Sequence, residues 1–157
     1  MSMSYAVKNL VQGSQELIAF RIGDQEFCVN IMSVREIRGW TPATPMPHAP
    51  AYVMGIVNLR GAVLPIVDLS ARLGMGEAEP TPRYVIIVAH MRERVVGLLV
   101  EAVSDILTIT DENIQPVPEV SSDLERQCAR GILAIDKRMI CLIDLDWLFP
   151  EKESEAA

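Results

Sequence analysis

Arg60 is the residue whose type and place first suggest chemistry. It sits in Asn58-Leu59-Arg60-Gly61, the polar centre of a stretch from Met54 to Leu69 that otherwise reads as two apolar strands folded back on a short turn. A guanidinium at the tip of an apolar hairpin adds nothing to a core, and its planar fork suits a bidentate contact with a carboxylate. Glu36, in the alternating run Val34-Arg35-Glu36-Ile37-Arg38-Gly39, is the carboxylate that the pattern offers it. Such a pair orients a binding rim and fixes register more than it adds affinity, because exposed ion pairs contribute only about 0 to 1 kcal/mol. A solvated turn arginine is the plain alternative.

Reaction chemistry finds little footing. Of the two histidines, His48 lies in a Pro-rich loop and His90 at a predicted turn, and no Ser or Cys stands in an elbow motif such as GxSxG. Asp68 and Asp144 occupy equivalent places before helical turns, where capping explains them better than acid-base work. Gly74-Met75-Gly76 lacks the third glycine and the following helix of a phosphate cradle. Cys28, Cys128 and Cys141 are odd in number and have neither CxxC spacing nor a nearby His, so neither a zinc site nor a disulfide framework is expected. No catalytic residue, metal or cofactor is predicted. A small enzyme or ligand-binding barrel is the competing reading, and it requires His90, Asp68 and Asp144 to converge in one pocket.

The elements that must position these residues are strands. Val and Ile dominate an apolar content of 50%, aromatics make up 5%, and 157 residues suffice for one buried core. The net charge of -7 argues against nucleic acid and anionic membrane surfaces as partners, both of which need clustered Lys and Arg. Residues 1–13 lack the features of a secretory signal, and no apolar run approaches membrane-spanning length, so the expected place is the cytoplasm, with no membrane insertion.

Residues 1–14 are read as a flexible lead-in and 151–157 as an acidic tail around a single domain over 15–150. Within it, residues 17–22 and 26–29 form a hairpin on Gly23-Asp24-Gln25, Asn30 to Ser33 bend, and residues 34–39 make a half-exposed strand. Pro42, Pro45, Pro47 and Pro50 stiffen the next loop. The Arg60 hairpin follows, with a short helix from Asp68 to Gly74. Residues 84–89 and 95–100 repeat the strand-turn-strand pattern, and Glu101 to Ile109 continues as a long strand or a bent pair. A short helix over 121–127, strands over 131–135 and 139–144 about the turn Asp136-Lys137-Arg138, and a last helical turn close the chain.

The halves repeat one another. Gly55 to Leu69 superposes without a gap on Gly131 to Leu145 at a shift of 76 residues, and Val34 to Ile37 falls on Val103 to Ile106 at a shift of 69. The fold predicted is therefore all-β with few short helices: two tandem SH3-like five-stranded β-barrels related by internal duplication, with approximate units 16–74 and 83–149. The pattern leaves open whether the barrels exchange strands. Gly55 and Gly131 coincide, which suggests either a close backbone approach or a simple strand start. Asn58-Leu59-Arg60-Gly61 against Ala134-Ile135-Asp136-Lys137 is where the copies differ chemically.

Residues 34–39, 55–61, 65–69 and 94–106 closely resemble the CheW family, the coupling proteins of bacterial chemotaxis, and the likeness runs from about Glu16 to Phe149. The resemblance implies a stand-alone, non-catalytic adaptor that links transmembrane chemoreceptors to the histidine kinase CheA, recruited to the inner face of the membrane through receptor arrays. It places receptor contact or coupling at Val34, Glu36, Asn58, Arg60 and Ile106, near a groove between the barrels. It places contact with the kinase's regulatory domain around Ile37, Met46, Gly55 and Gly131. The same module in a pathway governing surface motility or gene expression is the near alternative.

Overall fold

The computed structural model of the chain describes residues 14–91, 93–117 and 128–148. The predicted lead-in up to residue 13, the helix expected over 121–127 and the acidic tail lie outside them.

Among the described residues eleven strands follow one another: β1 (Gln15–Ile22), β2 (Gln25–Asn30), β3 (Val34–Gly39), β4 (Val53–Leu59), β5 (Ala62–Asp68), β6 (Val85–Met91), β7 (Arg94–Val100), β8 (Ala102–Ile109), β9 (Ile114–Gln115), β10 (Ala129–Ile135) and β11 (Arg138–Ile143). Two short helices, Leu69–Arg72 and Leu145–Leu148, follow β5 and β11. Asp68 caps the first by accepting the Ala71 N–H at 3.3 Å, and its other oxygen accepts the Ala78 N–H at 2.8 Å. None of the helices in the described residues is long and apolar enough to cross a membrane.

The strands form two sheets. The first has the order β8-β1-β2-β11-β10-β9 and the second β3-β6-β7-β5-β4. The leading hairpin of each repeat therefore lies in the sheet of the other: β1–β2 pairs with β8 and β11, and β6–β7 pairs with β3 and β5. The units are intertwined, so neither repeat closes a sheet with its own strands alone.

The duplication extends to register. Glu36 pairs with Val88 as Asp105 pairs with Ala19, and both ladders carry a bulge at the same place. The parallel joints also match, Ile66 on Gly97 and Leu142 on Cys28. One departure from five strands apiece is β9, two residues that pair with Ile132 and Leu133. Its counterpart in the second sheet is a single bridge between Thr44 and Ile56, which Pro45 and Pro47 keep from extending because they supply no N–H.

Alternation along the central strands serves two cores. Leu17 and Ala19 on β1 face a cluster inside the first sheet, with Leu107, Leu133 and Ile140. Ile86 and Val88 on β6 do the same inside the second, with Leu64, Ile66 and Leu99. The intervening residues, Phe20 and Ile22 of β1, Ile87 and Ala89 of β6, meet in a third cluster between the sheets. Strands apolar on both faces read as continuous hydrophobic runs for this reason.

Candidate functional site

The β4–β5 hairpin turns on Arg60 and Gly61, both with positive φ (53° and 88°). A two-residue turn of this hand matches strand twist, and Gly61 adopts it without steric cost. Asn58 accepts the Gly61 N–H at 2.8 Å, so its side chain secures the tip. Arg60 then reaches back to β3, where one guanidinium nitrogen donates to both Glu36 oxygens at 2.7 and 3.3 Å. Arg38 approaches the same carboxylate at 3.6 Å. The Arg60 hydrogen bond chiefly holds the Glu36 carboxyl below its usual pKa and raises the guanidinium's own. The pair is thus ionised throughout the neutral range. Arg60 is 71% exposed and Glu36 26%, so the pair is open to solvent and its net worth to stability is small.

Ile37, beside Glu36 on the edge strand β3, is 43% exposed, and Met46 in the Pro-rich loop is 45% exposed. Val34 is half-buried against the inter-sheet core. Gly55 has φ +147°, and a Cβ there would strike the Thr44 carbonyl. Thr44 exchanges two 2.8 Å backbone hydrogen bonds with Ile56, so Gly55 is what lets the loop carrying Met46 lie against β4. At Gly131 a Cβ would come within 2.5 Å of the Ile114 side chain and 3.0 Å of the Gln115 carbonyl. Of the two readings of these glycines, the close approach is the one observed.

The expected site residues divide between the sheets. Val34, Glu36, Ile37, Gly55, Asn58 and Arg60 lie in the second sheet, with Met46 on its adjoining loop. Ile106 and Gly131 lie in the first. Ile106 is 58% exposed on edge strand β8, at the position equivalent to Ile37.

A second ionic cluster lies in the first sheet, without a motif in the sequence to announce it. Arg138 at the start of β11 donates to Glu26 of β2 through Nε at 2.9 Å and Nη2 at 2.6 Å, and to Asp105 of β8 at 3.2 Å. Ser104 donates to Glu26 at 3.0 Å. Arg138 has one sign in the sequence: at a shift of 76 it stands where the other copy has Ala62.

The groups required by the enzymatic reading do not converge. His90 and Asp144 line one cavity of about 490 Å³ together with Asp111, Arg130 and Asp146. Asp68 does not line it and is spent on the Ala71 and Ala78 amides. Among the described residues no group of three or more His, Cys, Asp or Glu is placed to hold a metal ion. Cys28 is buried, which pushes its thiol up to about 12.

A family profile described as the CheW-like domain matches residues 16–153. The probable chemotaxis protein CheW of Rhizobium etli is 79% identical over 155 residues, 99% of this chain and all of that protein. The chemotaxis protein CheW of Rhizobium meliloti is 72% identical over the same shares. The crystal structure of the scaffolding protein TtCheW from Thermoanaerobacter tengcongensis superposes with a TM-score of 0.78 at 30% identity, covering 86% of this chain and 87% of that one. Agreement in sequence from end to end, and in the arrangement of both sheets, places the chain in the CheW-like domain family.

Proposed function

We propose that this chain is a non-catalytic adaptor of bacterial chemotaxis that couples transmembrane chemoreceptors to the histidine kinase CheA in signalling arrays. The observation that carries the reading is the recurrence of exposed aliphatic side chains at equivalent places in the two sheets. Ile37 matches Ile106, and Val63 (68% exposed) matches Met139 (65%). Apolar side chains left exposed at matching places offer each sheet a contact for a partner, as a protein that holds two partners at once requires. Relatives named as chemotaxis proteins support chemoreceptors and their kinase as those partners.

In this reading Val34, Glu36, Asn58, Arg60 and Ile106 form the receptor arm and meet the receptor's cytoplasmic signalling tip. Ile37 and Met46 meet the kinase's regulatory domain. Gly55 and Gly131 serve the kinase arm indirectly, by letting residues 44–46 and 114–115 lie close to β4 and β10. Signalling needs no reaction: an adaptor that binds two receptor or kinase conformations unequally shifts their populations by that difference. The protein works in the cytoplasm and reaches the membrane's inner face only through its receptors. The test is retention of the kinase's regulatory domain by receptor-containing membranes. It should require this chain, and retention without it would contradict the coupling role.

A further inference from the structure

The edge strands β8 and β3 share one construction. Each carries a bulge at the same place, with Ser104 or Arg35 as the extra residue, then an acid, Asp105 or Glu36, and then an exposed isoleucine, Ile106 or Ile37. In each sheet an arginine from a later hairpin reaches the acid: Arg60 of β4–β5 lies 2.7 Å from Glu36, and Arg138 of β10–β11 lies 3.2 Å from Asp105. The duplication did not copy that arginine. At a shift of 76 the counterpart of Arg60 is Asp136, and Arg138 stands two residues further along the chain. The same link is built twice, from different positions.

Of the two links, the one through Arg138 is the more firmly seated. Arg138 donates through three nitrogens, Nε at 2.9 Å and Nη2 at 2.6 Å to Glu26 and Nη1 to Asp105, whereas Arg60 uses one. A planar fork held on one carboxylate has a fixed direction for its remaining N–H groups. Glu26 also accepts from Ser104 at 3.0 Å, so both residues that precede Ile106 are gripped. The second Asp105 oxygen accepts the Ile106 N–H at 2.9 Å. Among the described residues β8 ends its sheet and is laddered to β1 alone, and a bulge interrupts that ladder and re-aims the side chains beside it. Ile106, 58% exposed, therefore owes its direction to this network as much as to the ladder.

We propose that Arg138 is a positioning residue of the receptor arm: seated on Glu26, it holds Asp105 and with it the bulged segment of β8, so that Ile106 meets the receptor's signalling tip already aimed. The inference rests on the adaptor reading for its partner and goes beyond it in giving Arg138 and Glu26 a part that needs no contact with that partner. An apolar side chain whose backbone is fixed beforehand loses less freedom on binding, and the smaller loss appears as affinity.

The test is a double-mutant cycle in the full-length chain, read by calorimetry against a receptor-tip fragment and, as a control on the fold, against the kinase's regulatory domain. Arg138→Met and Ile106→Ala should each weaken the receptor fragment by about tenfold. Together they should lose little more than either alone, because Arg138 acts through Ile106, and affinity for the kinase domain should stay level. Arg138→Lys keeps the charge without the fork and should not restore binding; it carries the test should Arg138→Met fail to fold by circular dichroism. Amide hydrogen exchange reads the same arrangement with no partner present: Arg138→Met should speed exchange at Ile106 several-fold and leave Ile37 at its own rate. Additive losses in the double variant, full binding by Arg138→Lys, equal loss of the kinase domain, or an unchanged exchange rate at Ile106 overturns the assignment. Undiminished receptor binding by Ile106→Ala removes Ile106 from the receptor arm, and the assignment falls with it. An unaltered chain that binds no receptor fragment overturns the coupling reading, and the exchange rates then decide alone whether Arg138 holds Ile106.

Discussion

The Arg60 guanidinium lies 2.7 Å from the Glu36 carboxylate, so the tip of the β4–β5 hairpin is tied to the edge strand β3. Exposed as it is, the pair adds little to folding and serves to hold the hairpin tip against β3. Arg60→Glu should shift the urea midpoint little and weaken binding of the receptor-tip fragment by about tenfold or more. Glu36→Arg combined with Arg60→Glu should recover most of that loss. A double reversal no better than either single one would show that the two residues act separately.

Gly55 and Gly131 should not tolerate alanine equally. At Gly55 both the φ of +147° and the Thr44 carbonyl oppose a Cβ, and carbonyl and loop must move together. The expected cost is about 2 kcal/mol or more in chemical denaturation. Gly131→Ala meets first the end of the Ile114 side chain, which can yield, and should cost less.

The Arg138 cluster gives stability a particular pH dependence. The hydrogen bond from Arg138 lowers the pKa of Glu26 below its ordinary 4.5. A carboxylate lowered on folding contributes fully above its unfolded pKa, and the contribution disappears as pH falls through the folded value. The stability difference between the unaltered chain and Arg138→Met should therefore be level from pH 8 to 5 and shrink below about 4.5. A difference that grew toward acid would contradict the pairing.

Much of this was written in the sequence. The shift of 76 aligned Gly55 with Gly131 and Asp68 with Asp144, and the structure repeats it in register and bulge alike. The pairing of Glu36 with Arg60 was legible because a lone guanidinium at an apolar tip has few uses. The exchange of leading hairpins was not, because β1–β2 and β6–β7 are apolar on both faces and would suit either sheet. Nor was β9, since two residues carry no periodicity. The Arg138 cluster joins β2, β8 and β11, residues 26, 105 and 138, and only the exchanged topology brings them together.

The inter-sheet core should dominate stability. Phe20 is fully buried and stacks on Phe27 with ring centroids 6.1 Å apart. Phe20→Ala removes that contact and leaves a cavity between the sheets, at an expected cost of about 3–5 kcal/mol in urea denaturation. A loss below about 1 kcal/mol would mean that the sheets do not depend on this layer.

Thiol reactivity gives a local check on burial. Cys28 is buried with its thiol raised to about 12, so at pH 8 it should resist an aromatic disulfide reagent until the chain unfolds. Reaction of Cys28 at the rate of a free thiol in the folded chain would place β2 elsewhere than between β1 and β11.

The central claim, one body holding two partners, is tested most directly by calorimetric titration. The chain and its Arg60→Glu variant would each be titrated with the CheA regulatory domain and, separately, with a receptor signalling-tip fragment. The unaltered chain is expected to bind both, and Arg60→Glu to weaken the receptor arm alone. Binding to neither, or equal loss of both arms on changing Arg60, would contradict it.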